Sequence, residues 1–390
     1  MRHLINRALV PFAALAACLA LGAANGGCAA DPTSEDGVDD QSSAITSPRP
    51  PQFVLLAFDG SLNLDFWQES RAFAKSPKGK NAKFTYFISG TYFVPDARKT
   101  TYQAPRQAAG KSAIGFGGTA DAIALRYGQL KLARDEGHEI ASHANGHYDG
   151  TAWNAAEWKS EFDQFDSLIF GSAANTSGIK AADIKGFRAP LLGAGPALFT
   201  TLAARGYGYD TSRTAAPDYW PKKLGGVWNF PLAQLRIVGS GKRTLSMDYN
   251  FYYTQSNGTP DPGKAAQYEK EMYDTYMAYF QANYTGNRAP VHIGHHFSKW
   301  NGGAYWNAMR RFTERVCGLP EVRCVTNTEL QKFVDTNTAH LANFQAGVFP
   351  KLSAPPSGGA VAERPKVYGP DDGVFAREAA VAHDGEEGDE

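Results

Sequence analysis

From Phe53 to Phe58 the chain reads Phe-Val-Leu-Leu-Ala-Phe, apolar at every position, and Asp59-Gly60 then stops the run. A strand with one wet face alternates apolar and polar residues; a run without alternation fits a strand covered on both faces, as in a parallel sheet under helices. The run predicts a strand over residues 51–58. Residues 83–89, 138–141, 184–187, 207–209, 228–231, 235–238, 290–295 and 323–326 read as further strands. Between them, residues 64–74, 121–136, 153–170, 194–205, 265–284 and 304–317 read as helices, with residues 329–334 closing the domain. Gly137 sits where the second helix needs its left-handed C-terminal residue. Residues 95–118 are polar and rich in Gly and Ala, and read as a surface excursion. Strands alternating with helices at this spacing predict an α/β domain with a mostly parallel sheet or barrel.

The 390 residues suffice for one large domain or two ordinary ones, and 43% hydrophobic with 12% aromatic residues supplies a core. Lys plus Arg and Asp plus Glu balance at 39 each, with no basic stripe, which speaks against a nucleic-acid partner. Residues 1–28 read as a secretory signal peptide: a basic start, Met1 to Arg7, then an apolar stretch over residues 8–24. Cys28, at the end of the apolar stretch, is the preferred lipidated residue; Cys18 or simple cleavage after Ala are the alternatives. Residues 29–50 read as a flexible acidic linker, residues 51–350 as the folded domain, and residues 351–390 as a disordered acidic tail. The chain is thus expected to be exported, either secreted or periplasmic, or held at a membrane only through a lipid anchor. In such a compartment Cys317 and Cys324 are expected to form a disulfide.

In α/β folds, ligands sit beyond the carboxyl ends of the strands. The residues there are Asp59, His143 with His147, Arg188, Asp210, and His295 or His296. His143 and His147 are four apart; on a turn of helix two such imidazoles share a face and can grip one metal ion. Residues 144–146 are Ala-Asn-Gly, so the glutamate of the H-E-x-x-H metalloproteases is absent.

In this order these segments resemble the polysaccharide deacetylases, carbohydrate esterase family 4, over residues 53–334. Leu56-Ala-Phe-Asp-Gly60 is similar to the family's T-F-D-D-G, and Phe84-Thr-Tyr-Phe-Ile-Ser-Gly90 to the strand that follows it. Gly137-His-Glu-Ile-Ala-Ser-His143 through His147 matches the H-x-x-x-H motif. Phe187-Arg-Ala-Pro190 resembles R-x-P-Y, with Leu191 in place of tyrosine; Tyr209-Asp-Thr-Ser-Arg213 and Ile293-Gly-His295 resemble the last two motifs. Asp59 to Trp67, together with the His- and Trp-rich residues 290–300, leans toward the chitin-deacetylase-like branch. The resemblance implies a single distorted (β/α) barrel of the NodB type, an acetylated polysaccharide as substrate and a divalent metal, zinc or cobalt. It departs at Gly60, where the family carries an aspartate metal ligand; Asn63 or Asp65 are the nearby side chains that could replace it.

The resemblance implies a role for each residue. His143 and His147 are the expected metal ligands and Asp59 the general base. His295, ranked over His296, is the expected general acid. Arg188 is expected to orient Asp59, and Asp210 to pair with His295, with Asp218 as its competitor. Ile293, Pro190, Leu191 and Trp220 are expected against the substrate. Trp228, Tyr249, Tyr252, Trp300 and Trp306 are further candidates for a sugar-binding floor. Two functions follow: a metal-dependent hydrolase removing N- or O-linked acetyl groups, or a glycan-binding protein that lost the reaction with the carboxylate at Gly60.

Overall fold

The computed structural model describes residues 47–351. The expected leader, Cys18 and Cys28, the linker up to residue 46 and the tail from residue 352 lie outside the described residues. The first half of the domain alternates strand and helix: β1 (Gln52–Asp59), α1 (Leu64–Lys75), β2 (Phe84–Ile88), α2 (Ala120–Asp135), β3 (Glu139–Ser142), α3 (Ala155–Phe165), β4 (Gly186–Phe187), α4 (Pro196–Ala204) and β5 (Tyr209–Asp210). Five short strands follow: β6 (Thr214–Ala215), β7 (Lys222–Leu224), β8 (Val227–Asn229), β9 (Leu232–Arg236) and β10 (Arg243–Leu245). The remainder is α5 (Asp248–Ser256), α6 (Ala265–Thr285), β11 (Val291–His296), α7 (Trp300–Val316), β12 (Val322–Cys324), α8 (Asn327–Thr336) and α9 (Leu341–Ala346).

The main sheet runs β11-β1-β2-β3-β4-β5-β8-β7, with β12 also on β1; only the β7–β8 pairing is antiparallel. A second sheet, β10-β9-β6, lies beside β11. It is tied there by the Gly294 N–H donating to Ser246 O at 2.8 Å and by a bridge between Met247 and Gly294. The result is the expected distorted, mostly parallel (β/α) barrel.

Strand β1 shows why its sequence does not alternate. Val54, Leu56 and Phe58 enter the layer between sheet and helices, with Trp67, Tyr86, Ile293 and Trp306. Phe53, Leu55 and Ala57 enter the barrel interior, with Phe87, Tyr209 and Phe230. Both faces are dry, and truncating one of these side chains, Leu56→Ala for example, should cost about 2–5 kcal/mol.

The helices begin and end on local signals. Asn63 accepts the Phe66 N–H at 2.9 Å and starts α1; Asn154 and Glu157 form a capping box at α3. Gly137, at φ +82°, ends α2. The helix expected over residues 153–170 stops at Phe165, and a π-type turn, Asp166–Phe170, continues it. Three strands and two helices (β6, β7, β10, α5, α9) occupy stretches where the sequence predicts no element. The α5 stretch, Asp-Tyr-Asn-Phe-Tyr-Tyr-Thr-Gln-Ser, has few strong helix formers. Burial of Phe251 and Tyr252 holds it instead.

Residues 47–50 pack on the domain rather than leaving it, with Arg49 paired to Glu321 at 2.6 Å. Cys317 and Cys324 form the expected disulfide, with a Cα–Cα distance of 5.6 Å. Among the described residues, no helix is long and apolar enough to cross a membrane.

Candidate active site

Strand register decides which residues meet. In neighbouring parallel strands, residues side by side point to the same face. Asp59 lies beside His296, and Phe58 beside His295. Asp59 and His296 therefore share the barrel interior, while His295 turns to the helix layer. There its ring lies 6.0 Å from Phe58 and 6.4 Å from Tyr276. Ile293, beside Leu56, is in the same apolar layer.

The cavity at the carboxyl ends of the strands is lined by Asp59, His143, His147, His296, Leu191 and Asn250, among others. It leaves about 20 Å³ for water-sized contents, room for a single water. Its charged and imidazole side chains are buried: Asp59 is 2% exposed and His147 5%.

Arg188 holds one wall. Its Nη1 donates to Asp59 Oδ1 at 2.7 Å, its Nε to Thr211 at 2.8 Å, and its guanidinium lies 4.5 Å over the Phe87 ring. Its Nη2 donates to His292 Nε2 at 2.9 Å, and His292 Nδ1 in turn donates to Phe230 O at 3.0 Å. An arginine cannot accept, so this chain fixes His292 as the neutral tautomer. Burial, then the Arg188 charge, pushes the His292 pKa down to about 3.

Asp248, at the start of α5, holds the opposite wall. Its Oδ1 accepts from His296 Nδ1 at 2.7 Å, and its Oδ2 accepts the His296 backbone N–H at 2.9 Å. Burial alone would raise the Asp248 carboxyl; the neighbouring His296 and His295 outweigh it and hold the group well below the usual carboxylate range. His295 Nδ1 is 3.5 Å from Asp248 Oδ2, and its Nε2 is buried without a hydrogen-bond partner. The sequence offered no sign of Asp248: it stands in a stretch with no predicted element, and its partner lies 48 residues away.

His143 and His147 do not lie on a helix. Strand β3 ends at Ser142, and the loop after it turns through two left-handed residues, Ala144 at φ +54° and His147 at φ +60°. That loop brings the rings to 5.2 Å, centroid to centroid. It is clamped from α3 and the 95–118 excursion. Glu161 accepts the Asn145 N–H at 2.9 Å, and Tyr102 accepts the Gly146 N–H at 3.1 Å and donates to Glu161 at 3.0 Å. His143 Nδ1 donates to Arg188 O at 2.8 Å, which leaves Nε2 as its basic nitrogen. Burial, then the neighbouring His143 and His296, takes the His147 pKa down to about 3. The His147 ring thus presents neutral imidazole, the form a metal requires.

A third ligand is not in place. Asp59 Oδ1 is taken by Arg188, and Asn63 Oδ1 is spent capping α1. Asp65 is exposed in the first turn of α1. Among the described residues, no group of three or more His, Cys, Asp or Glu side chains is arranged to hold a metal ion. A catalytic zinc site uses three protein ligands and an open position, and this cavity does not supply that set. Gly60 is where one could be added: a Cβ there would meet nothing within 4 Å, although its φ of +85° favours glycine.

Other expected residues lie elsewhere. Asp210 does not pair with His295; both its oxygens accept from Ser212, whose hydroxyl in turn accepts the Ala189 N–H. It therefore supports the Arg188 loop, and burial raises its carboxyl to about 6. The exposed Asp218 does not replace it; the partner of His295 is Asp248. Trp220 packs on Phe344 and Phe333, with its indole N–H on Asn287 O at 2.8 Å, outside the cavity. Pro190 is buried at the start of a short turn, whose next residues, Leu191 and Leu192, line the cavity at φ +55° and +54°. Trp228 and Trp306 are core residues. Tyr249 and Trp300 stay beside His296, with ring centroids at 6.1 and 5.4 Å.

No described protein family matches the chain, and no curated protein matches it. Solved structures do. A Mycobacterium smegmatis protein assigned to the polysaccharide deacetylases is 13% identical at TM-score 0.45, over 80% of this chain and 99% of that one. The family 4 esterase domain of a xylanase from the hindgut metagenome of Trinervitermes trinervoides is 14% identical at TM-score 0.40, over 73% and 92%. A peptidoglycan deacetylase from Bacillus subtilis is 14% identical at TM-score 0.37, over 77% and 99%. Likenesses of this size say nothing of activity or substrate.

Proposed function

We propose that this chain is an exported hydrolase that removes acetyl groups from a polysaccharide, with Asp59 and His296 as its proton-transfer pair. The observation that carries this reading is their placement side by side on a water-sized cavity, each fixed by a buried partner, Arg188 for Asp59 and Asp248 for His296. The order of motifs along the sequence adds the acetyl group and the glycan.

In the reaction, Asp59 takes a proton from water as the water oxygen bonds to the acetyl carbon. His296 then gives a proton from Nε2 to the departing nitrogen or oxygen as that bond to carbon breaks. Water is consumed; acetate and an amine or hydroxyl leave. A carboxylate at Nδ1 aims the ring and favours its protonated form, as in other Asp–His pairs. His143 and His147 line the cavity beside this pair.

The test is acetate release by the purified full chain from N-acetylglucosamine oligomers and acetylated xylan, with Asp59→Asn as control. Release that depends on Asp59 supports the reading; no release from any of them, with or without added zinc, defeats it. The second reading, a glycan-binding protein without hydrolysis, is favoured by the incomplete ligand set at Gly60. The export signal and the Cys28 anchor belong to the same proposal. Labelling with radioactive palmitate should be lost in Cys28→Ala; labelling that persists would place the anchor elsewhere.

A further inference from the structure

In the proposed reaction Asp59 acts where Arg188 puts it. Its Oδ1 is spent on Arg188 Nη1 at 2.7 Å, so Oδ2 is the oxygen left to take a proton. The guanidinium is planar and fully buried, and each of its nitrogens has its own acceptor: Asp59 for Nη1, Thr211 at 2.8 Å for Nε, and His292 at 2.9 Å for Nη2. Of these partners, Asp59 alone carries a charge. Gly294 leaves the group its seat, since a Cβ there would stand 3.2 Å from Nη1.

Nothing local requires a histidine at position 292. It lies on β11 beside Leu55, on the interior face that Phe87 and Phe230 share. An apolar side chain fills such a position without desolvation cost, and a polar one is tolerated there only when hydrogen-bonded. His292 meets that condition at both nitrogens, with partners from different parts of the barrel. Nε2 accepts from Arg188, just after β4, and Nδ1 donates at 3.0 Å to Phe230 O, between β8 and β9. The imidazole thus ties the β8–β9 turn to the guanidinium. A carboxylate in its place would divide the Arg188 charge with Asp59. A neutral ring supplies the acceptor and leaves that charge to Asp59.

We infer that His292 is a positioning residue for the general base: by anchoring Arg188 Nη2 it aims Nη1 at Asp59 and so sets where Oδ2 points in the cavity. The inference rests on the hydrolase reading for the role of Asp59. Without the His292 acceptor a buried N–H is left unpaired, and the guanidinium turns toward another acceptor, taking Asp59 with it.

Two amide side chains separate this role from packing. Glutamine reaches to where Nε2 stands and keeps an acceptor for Arg188; asparagine reaches only to where Nδ1 stands and keeps the bond to Phe230 O. Acetate release by the full chain is measured against the concentration of N-acetylglucosamine oligomers and of acetylated xylan. His292→Asn should lower kcat about ten- to a hundredfold with KM little changed, the effect of a misplaced reacting group. His292→Gln should hold kcat near wild type. The tautomer is read without turnover: long-range proton–nitrogen NMR correlations of isotope-labelled histidine, assigned by difference from His292→Gln, should place the His292 proton on Nδ1. A proton on Nε2 would leave Arg188 no acceptor there and overturn the inference whatever the kinetics. Release by wild type with equal kcat in the two variants defeats the positioning role alone; no release by wild type defeats the hydrolase reading and this role with it.

Discussion

Strand β3 begins at one buried polar network and ends at another, and the two differ in what they leave undone. At its start, the Glu139 carboxylate accepts from Tyr209 at 2.8 Å, Thr85 at 3.2 Å, the Thr328 N–H at 2.9 Å and the Thr328 hydroxyl at 2.5 Å. Four donors fill it, and the N-terminus of α8 closes over it. At the other end, His143 joins Asp59, His147 and His296 around a space with room for one water. Glu139 is half-buried over the fully buried Thr85 and Tyr209, whereas the cavity side chains are buried, and in such surroundings an unpartnered group is costly. A network that closes on itself fastens two elements together; one built around a cavity keeps its polar atoms pointed at something that can enter.

The sharpest way to break this comparison is to remove one imidazole from each side of β11. His296→Ala should lower acetate release about 10²–10⁴-fold, the usual worth of a general acid or base. His295→Gln, which faces Phe58 and Tyr276, should lower it by less than about tenfold. Equal losses would mean that the face assignment does not decide function. The next effect is on stability. Arg188 is fully buried against Asp59, and Arg188→Leu leaves that carboxylate without its counter-charge. Such a loss costs about 3–5 kcal/mol, read as a lowered urea midpoint with unchanged slope. A loss below about 1 kcal/mol would mean that Asp59 finds another partner.

How much of this could be read from the chain differs by element. The long strands, their dry faces and the order Asp59, His143, Arg188, His296 along strand ends are local patterns, and local patterns survive into the fold. Register is not local. Nothing near Ile293-Gly-His-His296 says whether His295 or His296 stands beside Asp59, because a shift of one residue exchanges the faces. The His143–His147 spacing suggested a helix, but a loop with two left-handed residues performs the same approximation. Asp248 and Glu161 were invisible for a related reason: each acts across the fold, on a partner that the sequence places 48 and 16 residues away.

The closed network gives the smaller, complementary effect. Glu139→Gln puts an N–H₂ donor where four donors converge, and should cost about 1–3 kcal/mol in stability while acetate release stays at the wild-type rate. Burial raises the Glu139 carboxyl above 4.5, despite its hydrogen bonds. A raised folded value means that the stability Glu139 contributes is complete below 4.5 and declines as pH rises through the folded value. Glutamine does not titrate. The gap between wild type and Glu139→Gln should therefore be widest in acid and narrow toward neutrality, measured as urea midpoints across that range. A gap that widens with pH, or a change in acetate release, would make the two ends of β3 less different than their geometry says.

Gly60→Asp tests the open end from the opposite direction, by adding a group. The cavity offers two imidazoles and an Asp59 already engaged by Arg188, so wild type should bind zinc weakly. A side chain at Gly60 has room, since nothing lies within 4 Å of its Cβ position. The backbone there, at φ +85°, should charge the substitution about 1–3 kcal/mol in stability. In exchange a carboxylate joins His143 and His147, and zinc affinity should rise about tenfold or more, lost again in Gly60→Asp with His143→Ala. Metal content after dialysis and calorimetric titration read this directly, without reference to turnover. If wild type already holds one equivalent of zinc and Gly60→Asp adds nothing, a third ligand exists that Asn63, Asp65 and Arg188-bound Asp59 do not explain. If neither protein binds zinc, the site works through Asp59 and His296 alone.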